Sequence, residues 1–272
     1  MTSSSYPPVR LLVCPPEYFA IDYEINPWMD RTNVVDPSRA RAQWHGLMAV
    51  LASVGAELLS MRPVPTLPDL VFTANAGVVD GRRVVTSRFR YVERQREEAF
   101  YEAWFREAGY EILTLDPDIH FEGEGDLLGF ADLWFGGYRQ RTDIQAYPAI
   151  SALFAREIVP LELVDTRFYH LDTCFCPLSG GELLYFPSAF DVEGQAAIEA
   201  RIPESHRIVV SEWEAQRFAC NAVCVGRNIV MPEGCPDAAA ALEVRGYRVH
   251  ACALDEFLKS GGSAKCLTLA LG

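Results

Sequence analysis

A thiol, an imidazole, a carboxylate and two amides recur at nearly even spacing along this chain. Asn75, Asp126, His170, Asn221 and Cys266 are separated by 51, 44, 51 and 45 residues. Each sits near the start of a segment that reads as a β-hairpin: FTANAGVVDGRRVVTS from Phe72, FEGEGDLLGFADLWFGG from Phe121, FYHLDTCFCPLSGGELLYFPS from Phe168, CNAVCVGRNIVMP from Cys220 and KCLTLALG from Lys265. A thiol paired with an imidazole is equipment for nucleophilic attack on carbon, because the ring takes the thiol's proton. That chemistry requires residues far apart in sequence to meet. A repeat of about 48 residues supplies the means. Units that cannot bury a face alone must stack or close into a ring, and a ring brings the matching end of each unit to one axis.

The individual residues sharpen this reading. Cys266 lies in GGSAKCLTLAL, where Gly261 and Gly262 allow a tight bend before a strand. At the first position of that strand its thiol would point toward the ring axis. Lys265 would lower the thiol pKa only if its ammonium turned the same way, and strand neighbours face opposite sides. His170 lies in FYHLDT with Asp172 two residues on. On a strand both face one side, so the carboxylate either orients the imidazole or shares its substrate. In FEGEGD, Glu122, Glu124 and Asp126 crowd three acids into five residues, which repel unless a cation joins them. No further ligands at helical spacing support a metal, so a cationic substrate fits better. Cys174-x-Cys176 and Cys220-x3-Cys224 do not match zinc spacing. Arg94 and Arg141 are the arginines singled out as carboxylate clamps. Taken singly, each of these residues has a plain structural reading: a buried cysteine, a satisfied histidine, a solvated acidic turn, a surface arginine. For Cys266 and His170 it is their shared phase, with the glycine pair before Cys266, that speaks for chemistry.

The elements that must position them follow one order: hairpin, helix, strand. A buried strand is expected at 9–14, stopped by Pro15-Pro16. An aromatic loop with Tyr18, Tyr23, Asn26 and Trp28 follows, and reads either as a lid or as a packed surface loop. Asp36 caps a helix from about Arg39 to Val54. A strand is expected from Glu57 to Pro63, then a hairpin from Phe72 to Ser87 turning at Asp80-Gly81. Val92 to Ala108 reads as a helix with Phe100, Trp104 and Ala108 as its apolar stripe, before a strand at 110–115. Helices at 144–155, 192–200 and 238–244 precede strands at 158–163, 206–210 and 247–251. Each unit is thus ββαβ. Four are complete, and the fifth must combine the C-terminal hairpin with the strand at 9–14. The fold class expected is α/β, one domain over residues 1–272.

Composition sets outer limits. The chain has 272 residues, half of them hydrophobic, and a formal net charge of −13. That charge disfavours nucleic acid, which demands basic clusters, and mildly favours a small cationic substrate. No apolar run is long enough for a membrane span and the start carries no secretory signal pattern, so a cytoplasmic protein with reduced cysteines is expected.

In order, FTANAG, FEGEGD, GGYRQRT, FYHLDT, CNAVCVGRN and GGSAKC resemble the motifs of the guanidine-modifying enzymes, over about residues 13–271. That superfamily includes arginine deiminases, dimethylarginine dimethylaminohydrolases, amidinotransferases and arginine dihydrolases. The resemblance implies a five-bladed α/β propeller of ββαβ units, the pentein fold. It makes Cys266 the nucleophile and His170 the general acid and base, with Glu122 in the catalytic set. Glu122 and Asp172 would bind the guanidinium, with Asp126 nearby. Arg141, and less closely Arg94, would hold the substrate carboxylate. Asn26 in INPWM and Asn75 in FTANAG resemble the arginine dihydrolases, where deiminases usually carry aspartate in place of Asn75. EGEGD departs from the usual EGGD by one residue, leaving open whether Glu122 or Glu124 faces the substrate, with Glu122 favoured. No cofactor and no metal is implied, and a homo-oligomer is compatible with the pattern. The leading expectation is hydrolysis of arginine to ornithine, carbon dioxide and ammonia through a covalent thiouronium. The alternatives are a dimethylarginine dimethylaminohydrolase, an amidinotransferase and a non-enzymatic binder of cationic amino acids.

Overall fold

The computed structural model describes residues 9–272. Among the described residues, fifteen strands form five separate three-stranded sheets. Four are built in sequence order: β3 (Gly77–Asp80), β4 (Arg83–Thr86) and β5 (Glu111–Leu113); β6 (Leu127–Phe130), β7 (Leu133–Tyr138) and β8 (Ile158–Glu162); β9 (Phe175–Pro177), β10 (Leu183–Tyr185) and β11 (Arg207–Val209); β12 (Val223–Val225), β13 (Asn228–Pro232) and β14 (Arg248–Cys252). In each, the middle strand runs antiparallel to the first and parallel to the third. The fifth sheet joins the ends of the chain. There β1 (Arg10–Val13) pairs antiparallel with β15 (Leu269–Ala270) and parallel with β2 (Glu57–Ser60). This is the five-bladed α/β propeller of ββαβ units.

The architecture follows from local constraints. A hairpin needs only a short turn, but parallel pairing of the third strand needs a crossover, and a helix supplies it in each unit. The helices Pro37–Ser53, Glu98–Glu107, Ala146–Phe154, Val192–Arg201 and Pro236–Val244 fill that role. The first is capped as expected: the Asp36 side chain accepts from the N–H groups of Ser38 and Arg39. Apolar clusters run between neighbouring blades, one of them joining Phe135, Phe175, Leu184, Ile208 and Leu242.

Four local expectations are corrected. Asp80 pairs with Arg83, so the hairpin turn is Gly81-Arg82, one residue later than expected. The segment 92–108 breaks into Val92–Gln95 and Glu98–Glu107, and its inward stripe is Tyr101 and Phe105; Phe100 is 41% exposed. Two adjacent aromatic pairs share the same four-residue spacing there, so periodicity alone cannot choose between them. Only Tyr101 finds a partner for its hydroxyl, donating to the Leu70 carbonyl. Third, His170 and Cys266 do not lie on strands. The first hairpin strands of three units follow one-turn 3₁₀ segments at Thr73–Ala76, Gly123–Gly125 and Leu171–Thr173, and Cys266 lies in a turn before β15. Fourth, the C-terminal segment forms the single strand β15 rather than a hairpin.

These turns are stitched to one another around the axis. The Asn75 side chain donates to the Glu122 carbonyl at 3.0 Å. The Leu171 N–H donates to the Asp126 carboxylate at 3.1 Å. Asn221 donates to the Asp172 carbonyl at 3.1 Å and accepts from the Cys266 N–H at 3.1 Å. The Ala74 N–H donates to the Cys266 carbonyl at 3.2 Å and returns to the first unit. The approach is close enough to demand glycine. A Cβ on Gly125 would lie 2.3 Å from the Asn75 amide nitrogen. Gly125→Ala is therefore expected to force Asn75 away from Glu122 and to cost about 1–3 kcal/mol, read by urea denaturation. A wild-type midpoint would show that the junction yields without cost.

Candidate active site

His170, Cys266, Asn75, Asn26, Arg94 and Arg141 line one cavity at the axis, together with Ile25, Met29, Asp69, Phe72, Tyr169 and Ser260. Its void is about 10 Å³, room for roughly one water. The loop after β1 closes it. Asn26 donates to the Ser260 carbonyl and accepts from the N–H groups of Trp28 and Met29. The Trp28 indole donates to the Arg167 carbonyl at 2.7 Å. A larger void of about 150 Å³, bounded by Lys265, Glu124, Cys176 and Cys224, contains neither Cys266 nor His170.

Glu122 is fully buried, and one of its oxygens serves both His170 Nε2 at 2.8 Å and Arg141 Nη1 at 2.9 Å. The other accepts from the Arg90 N–H. Burial works against its charge, but the Arg141 guanidinium and the His170 contact hold it well below the usual carboxylate range. Glu122, not Asp172, is thus the carboxylate against His170. Burial pushes the imidazole down to about 4 against the pull of Glu122, so near pH 7 the ring is neutral and carries its proton on Nε2. Glu124 points elsewhere: it pairs with Lys265 at 2.6 Å and accepts from the Ala270 N–H. Gly123, with a φ of +66°, turns the chain between the two glutamates, so that Glu122 meets His170 and Glu124 meets Lys265.

Asp172 faces Cys266 instead. The thiol donates to Asp172 Oδ2 at 3.3 Å, and the other carboxylate oxygen is buried without a partner. Burial pushes Asp172 up to about 7, with Lys265 and the Cys266 contact pulling the other way. Burial, then the Asp172 charge, holds the thiol well above its ordinary value. Glu122, Asp172 and Asp126 all lie outside the cavity lining, the first two behind His170 and Cys266 and Asp126 without contact to either side chain. The Asp126 oxygens accept from Thr142 Oγ1 and the Leu171 N–H, and burial keeps it well above the usual carboxylate range. It was expected near the substrate because sequence cannot distinguish an acid facing the axis from one committed to joining two turns.

The arginines differ in setting. Arg141 is stacked between the rings of Tyr91 and Tyr169, each 4.7 Å away, and also donates to the Ile25 carbonyl. Arg94 is held by Glu97 and donates to the Asn75 side-chain oxygen at 2.8 Å. Two cavity residues, Asp69 and Tyr169, and one residue behind the thiol, Asn221, escaped the sequence reading. Asp69 is buried, accepts from Tyr23 and leaves Oδ1 unpartnered. Tyr169 donates to the Gly261 carbonyl. Asn221, noted only for its phase, touches the thiol itself at 3.0 Å. The adjacency of Tyr169 to His170 was the one available signal for Tyr169; nothing in LPDLVF marks Asp69.

A family model for N,N dimethylarginine dimethylhydrolase, eukaryotic, matches residues 15–271. The chain belongs to the dimethylarginine dimethylhydrolase family. Within the guanidine-modifying superfamily, it is 47% identical over 266 residues to the bifunctional arginine dihydrolase/ornithine cyclodeaminase ArgZ of Synechocystis, covering 96% of this chain and 37% of that one. The chain therefore spans little more than a third of the length of that relative. It is 40% identical to the N(G),N(G)-dimethylarginine dimethylaminohydrolase of Mycobacterium tuberculosis, covering 96% of this chain and 85% of that one. The crystal structure of the N-terminal domain of ArgZ, a cysteine-to-serine mutant bound to substrate, superimposes with a TM-score of 0.94 at 45% identity, over 96% of this chain and 97% of that one.

In this family member, Glu122→Gln would leave Arg141 buried without its carboxylate and His170 without its anionic acceptor. Breaking a buried pair from one side costs roughly 3–5 kcal/mol. Urea denaturation of the variant is expected to show a loss in that range; a loss below about 1 kcal/mol would place the pair in a far more watery setting.

Proposed function

We propose that this chain hydrolyses the guanidine carbon–nitrogen bonds of free arginine, in the manner of an arginine dihydrolase. The observation that carries the reading is that Cys266 and His170 line one small cavity, each backed by a buried carboxylate, Asp172 and Glu122, and that the same lining holds Arg94, Arg141 and the unpartnered Asp69 oxygen. A zwitterionic amino acid with a cationic side chain matches that distribution: its carboxylate toward Arg141 and Arg94, its ammonium toward Asp69, its guanidinium beside Asp172. Entry requires the loop carrying Asn26 and Trp28 to lift.

The chemistry follows from the charges. The guanidinium carbon is a poor electrophile because resonance spreads its charge, so alignment with the nucleophile matters. In the resting site the Cys266 proton faces Asp172, and ionisation would place two anions side by side. A guanidinium bound there supplies the compensating charge. The thiol proton passes to His170 and the thiolate attacks the guanidine carbon. His170 returns the proton to the departing nitrogen, which leaves as ammonia, and a thiouronium remains on Cys266. Water, deprotonated by His170, adds to its carbon; the carbon–sulfur bond breaks and citrulline forms. A second passage at the ureido carbon releases another ammonia and a carbamate, which falls apart to ornithine and carbon dioxide. Glu122 orients His170 and neutralises Arg141 throughout.

Asn75 supports two rounds rather than one. An aspartate there would favour the cationic substrate over the neutral ureido intermediate and promote early release, whereas an amide penalises the intermediate less. A single-step dimethylarginine dimethylaminohydrolase is the second reading, supported by the family model and the Mycobacterium tuberculosis relative. Incubation with arginine, citrulline and dimethylarginine, with products identified by mass spectrometry, separates them. The expected result is ornithine and two equivalents of ammonia from arginine, a shift toward citrulline in Asn75→Asp, and no turnover in Cys266→Ser. Citrulline alone, or action on methylated arginine only, would reject the dihydrolase reading.

The pH profile provides a second check. Guanidinium binding needs Asp172 ionised, and its carboxyl is held at about 7. The value of kcat/KM should therefore fall as pH drops through about 7, while His170, already neutral there, adds no limb until about 4. A flat profile between 5.5 and 8 would remove Asp172 from the binding step.

A further inference from the structure

We infer that Asn221 is a catalytic residue of the proposed reaction: its carboxamide anchors Cys266 by the backbone and donates a hydrogen bond to the sulfur on which negative charge develops. The inference rests on Cys266 being the nucleophile.

Asn221 is fully buried and makes three contacts that together fix its orientation. Its oxygen accepts from the Cys266 N–H at 3.1 Å, and its nitrogen donates to the Asp172 carbonyl at 3.1 Å and to Cys266 Sγ at 3.0 Å. A backbone N–H only donates and a carbonyl only accepts, so the amide cannot be flipped without losing both backbone bonds. The nitrogen must therefore face the sulfur. The Asn221 carbonyl also accepts from the Lys265 N–H, fixing the turn before the nucleophile.

The chemical need for this donor is plain from the surroundings. Asp172 lies against the sulfur as an acceptor, and Tyr169 stands nearby, its hydroxyl committed to the Gly261 carbonyl. His170 is neutral at rest, and Arg141 is paired with Glu122. Lys265, next in the chain, turns its ammonium to Glu124. Once the thiol proton has passed to His170, the Asn221 amide is a neutral donor already aimed at the sulfur. A preorganised donor of this kind acts where charge develops and requires no rearrangement at the moment of reaction.

The test compares wild type with Asn221→Asp, which keeps the acceptor for the Cys266 N–H but replaces the donor with an anion. Iodoacetamide alkylation of Cys266 is followed across pH, with the modified residue located by mass spectrometry. Loss of a charge-assisted hydrogen bond is expected to raise the alkylation midpoint by about one to two pH units, or to slow alkylation at fixed pH about 10- to 100-fold. Turnover should fall about 100-fold or more in kcat, with KM little changed. Should the aspartate variant not fold, Asn221→Ser, which retains a hydroxyl donor, is expected to lie between it and wild type. An unchanged midpoint and kcat in either folded variant, even with a lowered melting temperature, would reduce Asn221 to a structural link and overturn the inference. Full turnover by Cys266→Ser would instead sink the nucleophile assignment, an outcome distinct from the thiol's titration.

Discussion

The cross-turn hydrogen bonds at the axis are the constraint on which the site depends. Each blade is a sheet of three short strands, too small to fix a side chain to a fraction of an ångström by packing alone. The junctions do so by using one turn's polar side chain to satisfy the next turn's backbone: Asn75 on Glu122, Asp126 on Leu171, Asn221 on both Asp172 and Cys266. Buried backbone groups must be paired, and here the pairing also sets the distances between an imidazole, a thiol and their carboxylates. Structural and reactive residues are therefore neighbours on the same turns.

Burial gives the site its electrical character. Glu122 remains charged because Arg141 and His170 compensate it. Asp126 and Asp172 lack such partners and are pushed toward their neutral forms. The result is a pocket poised for one additional positive charge. A cation bound against Asp172 would remove the repulsion that disfavours the thiolate, so the substrate itself would supply a condition for its own attack. Arg141 is already committed, paired with Glu122 and stacked between Tyr91 and Tyr169.

The repeat was legible because the same kind of residue returns at the same phase in each unit, and phase survives small errors in element boundaries. The convergence of Cys266, His170 and Asn75 on one cavity followed from it, whereas Arg94 and Arg141 were reached through the family resemblance. What sequence could not supply was direction. His170 and Asp172, two residues apart, would share a face on a strand; in a 3₁₀ turn they diverge, one to Glu122 and the other to Cys266. Glu122 and Glu124 are separated only by the left-handed Gly123. Asp69 depends on Tyr23, 46 residues away, and no local pattern encodes such a meeting. Where a residue's role is set by a neighbour in another blade, its own segment is silent.

The pairing of β15 with β1 also orders events in time. During synthesis β1 emerges before the four other blades and cannot complete its sheet until β15 has followed them. The entropy of closing so long a loop grows only logarithmically with its length, but contacts at such separation slow the search for the native arrangement. His170 and Glu122 belong to blades that can form earlier, whereas Cys266 lies in the turn leading into the closing strand. The thiol thus meets its carboxylate, its amide and the cavity it lines together, at the step that closes the ring. A partly folded chain would carry the Cys266 thiol without those neighbours.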